Sequence, residues 1–187
     1  LAFAVFLSSY RIGGEFTGLR AWNEAAYSIL ARQILRSGVP DSGASYISHP
    51  LSDNPPGTEL VMAISFFLFG DDEISARLPS VLSSALTLAF VYLVGKKLHG
   101  VAVGLSSSLL LGLCPLYAYF SGSAQTDPFM MLLMVSSAYF FIRWQSGNRD
   151  SDIVICAALL GIGTCFKLTV LLILLPMLLC AWGELPG

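Results

Sequence analysis

Glu24 is the first side chain in this sequence whose setting suggests chemistry. It lies in the run AWNEAAYSILARQILRS (Ala21 to Ser37), where Trp22, Ala26, Ile29, Leu30 and Ile34 recur at helical spacing. Glu24, Ser28, Arg32 and Arg36 follow at intervals of four on the opposite side. A carboxylate in the first turn of a helix meets the partial positive charge of the free N–H groups, and beside an apolar wall it is a candidate general base. Asn23 and Glu24 could equally be a cap and a dipole-compensating acid. Arg32 and Arg36 can meet phosphate or simply solvate the polar face. The next segment, SGVPDSGASYISHPLSDNPPG, is a loop by composition. In it Tyr46, His49, Asp53 and Asn54 gather ahead of Pro55 and Pro56, whose fixed φ sets the entry into the next helix. That loop is either a surface turn or a shape held over a ligand. Further on, Arg77 has Asp71, Asp72 and Glu73 as ready ion-pair partners. Asp127 precedes Pro128, a favoured first helical residue, so it is either a cap or a functional acid. Lys167 interrupts an apolar run, either as a snorkelling side chain or as a ligand for an anion.

The elements that must position these groups are membrane helices. Of 187 residues, 55% are hydrophobic and 12% charged, with a mean hydropathy of +0.72. Soluble domains carry about 25% charged residues, so a soluble enzyme is excluded. The 10 basic and 12 acidic residues nearly cancel and form no basic block, which removes nucleic acid as a partner. Cys114, Cys156, Cys165 and Cys180 lie in apolar stretches without C-x-x-C spacing, as buried thiols do. The chain opens inside one apolar run and stops just after another. It therefore reads as a piece of a longer membrane protein, with residues 1–10 the end of a first membrane helix.

Leu78 to Gly95, Val101 to Phe120 and Pro128 to Trp144 approach the ~20 apolar residues needed to cross a bilayer. Ile153 to Trp182 is too long for one crossing and divides at Lys167 into helices over 153–166 and 168–182. GTELVMAISFFLFG, 57–70, is apolar but short and carries Glu59, which suits an interfacial or re-entrant helix. If it does not cross, the turns holding Lys96, Lys97, Arg143 and Arg149 share one side, the cytoplasm by the positive-inside rule. Segment 11–77, with its amphipathic helix 21–37, then lies outside with Asp127 and Lys167. Nine of the twelve acids (15, 24, 41, 53, 59, 71, 72, 73 and 127) share that side. The expectation is a single all-α polytopic transmembrane bundle whose ionisable groups, costly at membrane depth, are functional.

The order WNEAAYSILARQILRSG, DNPPGTELVMAISFFLFGDDEISARLPSVLSSALT, KKLHG, SAQTDP and GIGTCFKL resembles the GT-C superfamily of polyprenyl-phosphate-dependent glycosyltransferases. The likeness is to the branch holding protein O-mannosyltransferases and the lipid A aminoarabinose transferase. The resemblance implies transfer of a sugar from a polyprenyl or dolichyl phosphate to a lipid or protein hydroxyl at the extracytoplasmic face. It implies a base at the Asp-Glu motif, which here is Asn23-Glu24, so Glu24 is the remaining acid. The family's acid-Lys-Pro-Pro motif matches Asp53-Asn54-Pro55-Pro56 without the Lys. Its second acid matches Asp127, and its Thr-Lys-Gly lysine matches Lys167. Donor-phosphate candidates are thus Lys167, Asp53, Asn54, Arg77 and Tyr27, and Asp127 with His49 would hold a divalent metal if one is used. A transporter or scaffold, or an inactive relative, is the alternative.

Overall fold

The computed structural model describes residues 12–15, 21–37, 55–147 and 149–183, and among these every regular element is helical. The elements are α1 (Ala21–Ser37), α2 (Gly57–Phe69), α3 (Glu73–His99), α4 (Val101–Leu113), α5 (Pro115–Ser121), α6 (Asp127–Gly147) and α7 (Asp150–Thr164). A 3-10 stretch, Leu168–Ile173, then leads into α8, Leu174–Gly183. The loop holding Tyr46, His49, Asp53 and Asn54, and the run 1–10, lie outside the described residues.

Helix α3 packs against α4 and α6, α6 packs against α7, and α1 lies on α2. α3 and α6 run side by side in the same direction, with Phe90 against the rings of Tyr139 and Phe140. α3 and α4 form a hairpin through Gly100, whose φ of 93° favours glycine. A Cβ on Gly95 would come within 2.8 Å of the Gly104 Cα, so the two helices touch backbone to backbone there. One core cluster joins Tyr27, Ala31, Met62, Ala63, Phe66, Ala76 and Ala124. A second joins Phe141, Cys156, Leu160, Val170 and Met177 around α6, α7 and α8.

The helix limits differ from the sequence expectation where polar caps and prolines intervene. α3 begins at Glu73 rather than Leu78, because Asp72 caps it by accepting the Ser75 N–H at 2.7 Å. Pro79 inside α3 cannot donate to the Ser75 carbonyl. The Ser65 hydroxyl of α2 supplies that bond instead at 2.6 Å, which ties α2 to α3. The expected single span 101–120 is broken at Cys114, and α4 and α5 meet at 72°. Pro115 stands at the first turn of α5, where its missing N–H costs nothing. After α7, Lys167 is extended (φ −160°, ψ 126°), and the chain resumes as a 3-10 stretch before α8.

Taken by itself, α3 is long and apolar enough to cross a bilayer, and the bent α4–α5 pair counts as a second such span when joined. Large apolar side chains point outward along the bundle, among them Phe67, Leu110 and Leu172 at 79%, 71% and 69% exposure. Such a surface belongs in lipid.

Candidate active site

The sequence candidates Glu24, Arg77, Asp127 and Lys167 converge at one end of the bundle, where the connections α5–α6 and α7–α8 and the start of α3 meet. Glu24 is buried at 3% exposure, not displayed on a surface. Its Oε1 accepts the Ala124 N–H at 2.7 Å and the Arg77 Nε–H at 3.2 Å, and its Oε2 accepts from Arg77 Nη2 at 3.3 Å. Arg77 is 5% exposed and also donates to the carbonyls of Ile12, Gly14 and Glu15. A guanidinium has five N–H donors, and these contacts engage its full fork.

The first half of the expected polar face of α1 is therefore turned inward, while Arg36 at its end stays exposed. Glu24 and Ser28 are buried while Trp22 and Ile29 are exposed. The Glu24 pairing with Arg77 and Ala124 fixes the rotation, so the apolar stripe is split between protein and surroundings. Arg32 reaches Asp71 at 2.7 Å and lies over the Phe66 ring, so Asp71 is occupied. Asp72 is taken up as the α3 cap, and the ion pair of Arg77 is made with Glu24 rather than with a neighbour in sequence.

Tyr27, expected near a donor phosphate, is a core residue at 7% exposure. Its hydroxyl accepts from Thr126 Oγ1 at 3.2 Å, and Thr126 accepts from Thr58 Oγ1 at 3.0 Å. This buried row joins α1, α2 and the α5–α6 connection. Gly57 donates its N–H to the Cys165 carbonyl at 2.8 Å, and no side chain at position 57 would fit against that carbonyl. Both ends of α2 thus contact the same end of the bundle, Gly57 beside Cys165 and Ser65 beside Ser75. Sequence reasoning missed Ala124, Thr58 and Thr126. The one signal available was the uncharged polar run SGSAQT between two apolar stretches.

Lys167 Nζ lies 3.1 Å from Asp127 Oδ1, and these side chains are 33% and 26% exposed, far more open than the Glu24–Arg77 pair. Asp127 also borders an apolar cavity of 370 Å³ formed where the α4–α5 break opens against α6, lined by Leu111, Cys114, Leu116, Phe120 and Met131. Among the described residues no three His, Cys, Asp or Glu side chains gather to hold a metal. Asp127 faces an ammonium, and a carboxylate so paired does not by itself make a metal site. Asp53, Asn54 and His49 fall outside the described residues.

A further group of charges marks the opposite end. Lys96 lies beside the Tyr92 ring near the Gly100 turn, and Arg143 pairs with the buried Asp152 at 3.2 Å.

Comparison with solved structures agrees with this architecture. The chain superposes on the crystal structure of ArnT from Cupriavidus metallidurans bound to undecaprenyl phosphate with a TM-score of 0.77 and 20% identity. The match covers 97% of this chain and 35% of that one. With ArnT in the apo state the score is 0.75 at 21% identity, over 97% and 36% of the two chains. The chain thus spans about a third of ArnT's length. No curated protein sequence matches it significantly. Residues 53–184, the larger part of the chain, match the dolichyl-phosphate-mannose-protein mannosyltransferase family. On that match and the shared helical GT-C membrane fold, the chain belongs to the dolichyl-phosphate-mannose-protein mannosyltransferase family.

Proposed function

We propose that this chain is part of a membrane glycosyltransferase that moves a sugar from a polyprenyl- or dolichyl-phosphate donor to an acceptor hydroxyl, at a site facing the extracytoplasmic side. The observation that carries the reading is the half-open Lys167–Asp127 pair at the margin of an apolar cavity. A lipid phosphate needs a trough for its isoprenoid and a cation for its head group, and these stand side by side. During transfer the bond from the sugar C1 to the phosphate oxygen breaks and a bond to the acceptor oxygen forms. Negative charge grows on the departing phosphate, where a fixed cation stabilises it. Lys167 supplies that charge by turning from Asp127 to the phosphate. The released Asp127 carboxylate then takes the acceptor proton. No metal is required by this scheme. The positive turns at the opposite end support the assignment of the site to the extracytoplasmic face. A transporter would instead concentrate its charges near the bilayer midplane.

The test is transfer of radiolabelled sugar from a polyprenyl-phosphate donor by the full-length protein. Asp127→Asn and Lys167→Met are each expected to lower the rate by about 10²–10³-fold, as loss of one aimed charge does elsewhere. Undiminished transfer in both variants would refute the assignment, and no transfer by the parent would point to the inactive relative.

A further inference from the structure

The Glu24 carboxylate occupies the motif at which the base is sought, yet its surroundings are those of a fastening. It is 3% exposed, Arg77 holds both its oxygens, and Oε1 also receives the Ala124 N–H. Ala124 is itself fully buried and stands three residues ahead of Asp127. Thr126, the immediate neighbour of Asp127, is held from α1 by Tyr27 and from α2 by Thr58. Asp127 opens α6 and meets Lys167. The α5–α6 connection is therefore pinned at two points by α1, and the far end of that connection carries the open carboxylate. Arg77 extends the same fastening to the carbonyls of residues 12, 14 and 15.

We infer that Glu24 is a positioning residue, which holds Asp127 against Lys167 through Ala124, and that it does not exchange a proton with the acceptor. The inference rests on the glycosyltransferase reading only for what Asp127 and Lys167 do; the fastening itself stands without it. Glutamine at position 24 keeps an oxygen for the Ala124 N–H, whereas leucine removes it. A base tolerates neither, and a fastening distinguishes them.

The experiment uses the full-length protein with its native cysteines replaced by alanine and a single reporter, Ser123→Cys, at a site 8% exposed in the α5–α6 connection. The rate of N-ethylmaleimide labelling is measured beside sugar transfer. Losing a buried hydrogen bond to a charged group shifts an opening equilibrium by about 10–100-fold. Glu24→Leu is thus expected to speed labelling by that factor and to lower kcat in step, with Glu24→Gln intermediate in labelling and retaining transfer. Should Glu24→Leu fail to fold, Thr126→Val, which cuts the Tyr27–Thr58 row, is the second arm and is expected to speed labelling about tenfold. Abolished transfer in Glu24→Gln with labelling unchanged would make Glu24 the base and overturn the proposal. Labelling equal to the parent in Glu24→Leu, or in Thr126→Val where that arm is needed, would overturn it too. If the parent transfers no sugar while labelling follows the expected order, the functional reading fails and the fastening stands.

Discussion

The Glu24–Arg77 pair shows how one residue can be read two ways. An acid and a base at helical spacing look alike whether the helix face meets water or protein, and in α1 that face meets protein at Glu24 and Ser28. Breaking a buried pair strands the surviving charge at a cost of about 3–5 kcal/mol, whereas replacing both partners by apolar groups is often neutral. Arg77→Met alone is therefore expected to lower the thermal stability of the detergent-solubilised protein sharply, and Glu24→Leu/Arg77→Met together to recover part of it, since the Ala124 N–H stays unsatisfied. Equal losses in the single and double variants would contradict the pairing. Asp72 gives a milder, pH-dependent case. The Ser75 hydroxyl and N–H hold its carboxyl below the usual carboxylate value of 3.8. A group depressed in the folded state stabilises above its unfolded pKa and loses that contribution as pH falls through its folded one. Amide-exchange protection of Ser75 should accordingly be full at neutral pH and decline once the pH passes below 3.8, and Asp72→Ala should remove the dependence.

At the scale of elements, the helices were legible because length and apolarity are local properties. Their breaks were legible only in part. Residues 101–120 were read as one span despite Pro115, and the 72° bend there depends on what α5 packs against. The start of α3 was hidden because Asp71 and Asp72 looked like loop acids, while one pairs with Arg32 and the other caps the helix. Lys167 and Asp127 could be singled out by charge and by family resemblance. Glu24 and Arg77 could not be paired, since 53 residues separate them and nothing local signals the partner. The rotation of α1 depends on that pairing and was lost with it. Two connections between elements are open to direct test. Ser65→Ala leaves the Ser75 carbonyl, already deprived of a donor by Pro79, unsatisfied, and is expected to cost about 1–3 kcal/mol. Gly57→Ala sets a methyl group against the Cys165 carbonyl and should displace the start of α2, read as loss of the Thr58–Thr126 contact in a structure of the variant.

At the scale of the molecule, the placement of charge gives the bundle its direction. Glu24, Asp127, Arg77 and Lys167 share one end, and the Lys96 and Arg143 turns, with Asp152, share the other. With single cysteines at 97 and 122, a membrane-impermeant maleimide applied to intact cells is expected to label 122 and spare 97; the reverse would place the site in the cytoplasm. The central claim is that Lys167, beside the apolar cavity of Asp127, receives a lipid-linked phosphate. Titration of undecaprenyl phosphate into the full-length protein and its Lys167→Met variant tests it most directly. Loss of one charge-assisted contact of about 1.5–3 kcal/mol predicts that the variant binds roughly 10–100-fold more weakly. Equal affinity in the two proteins would contradict the account.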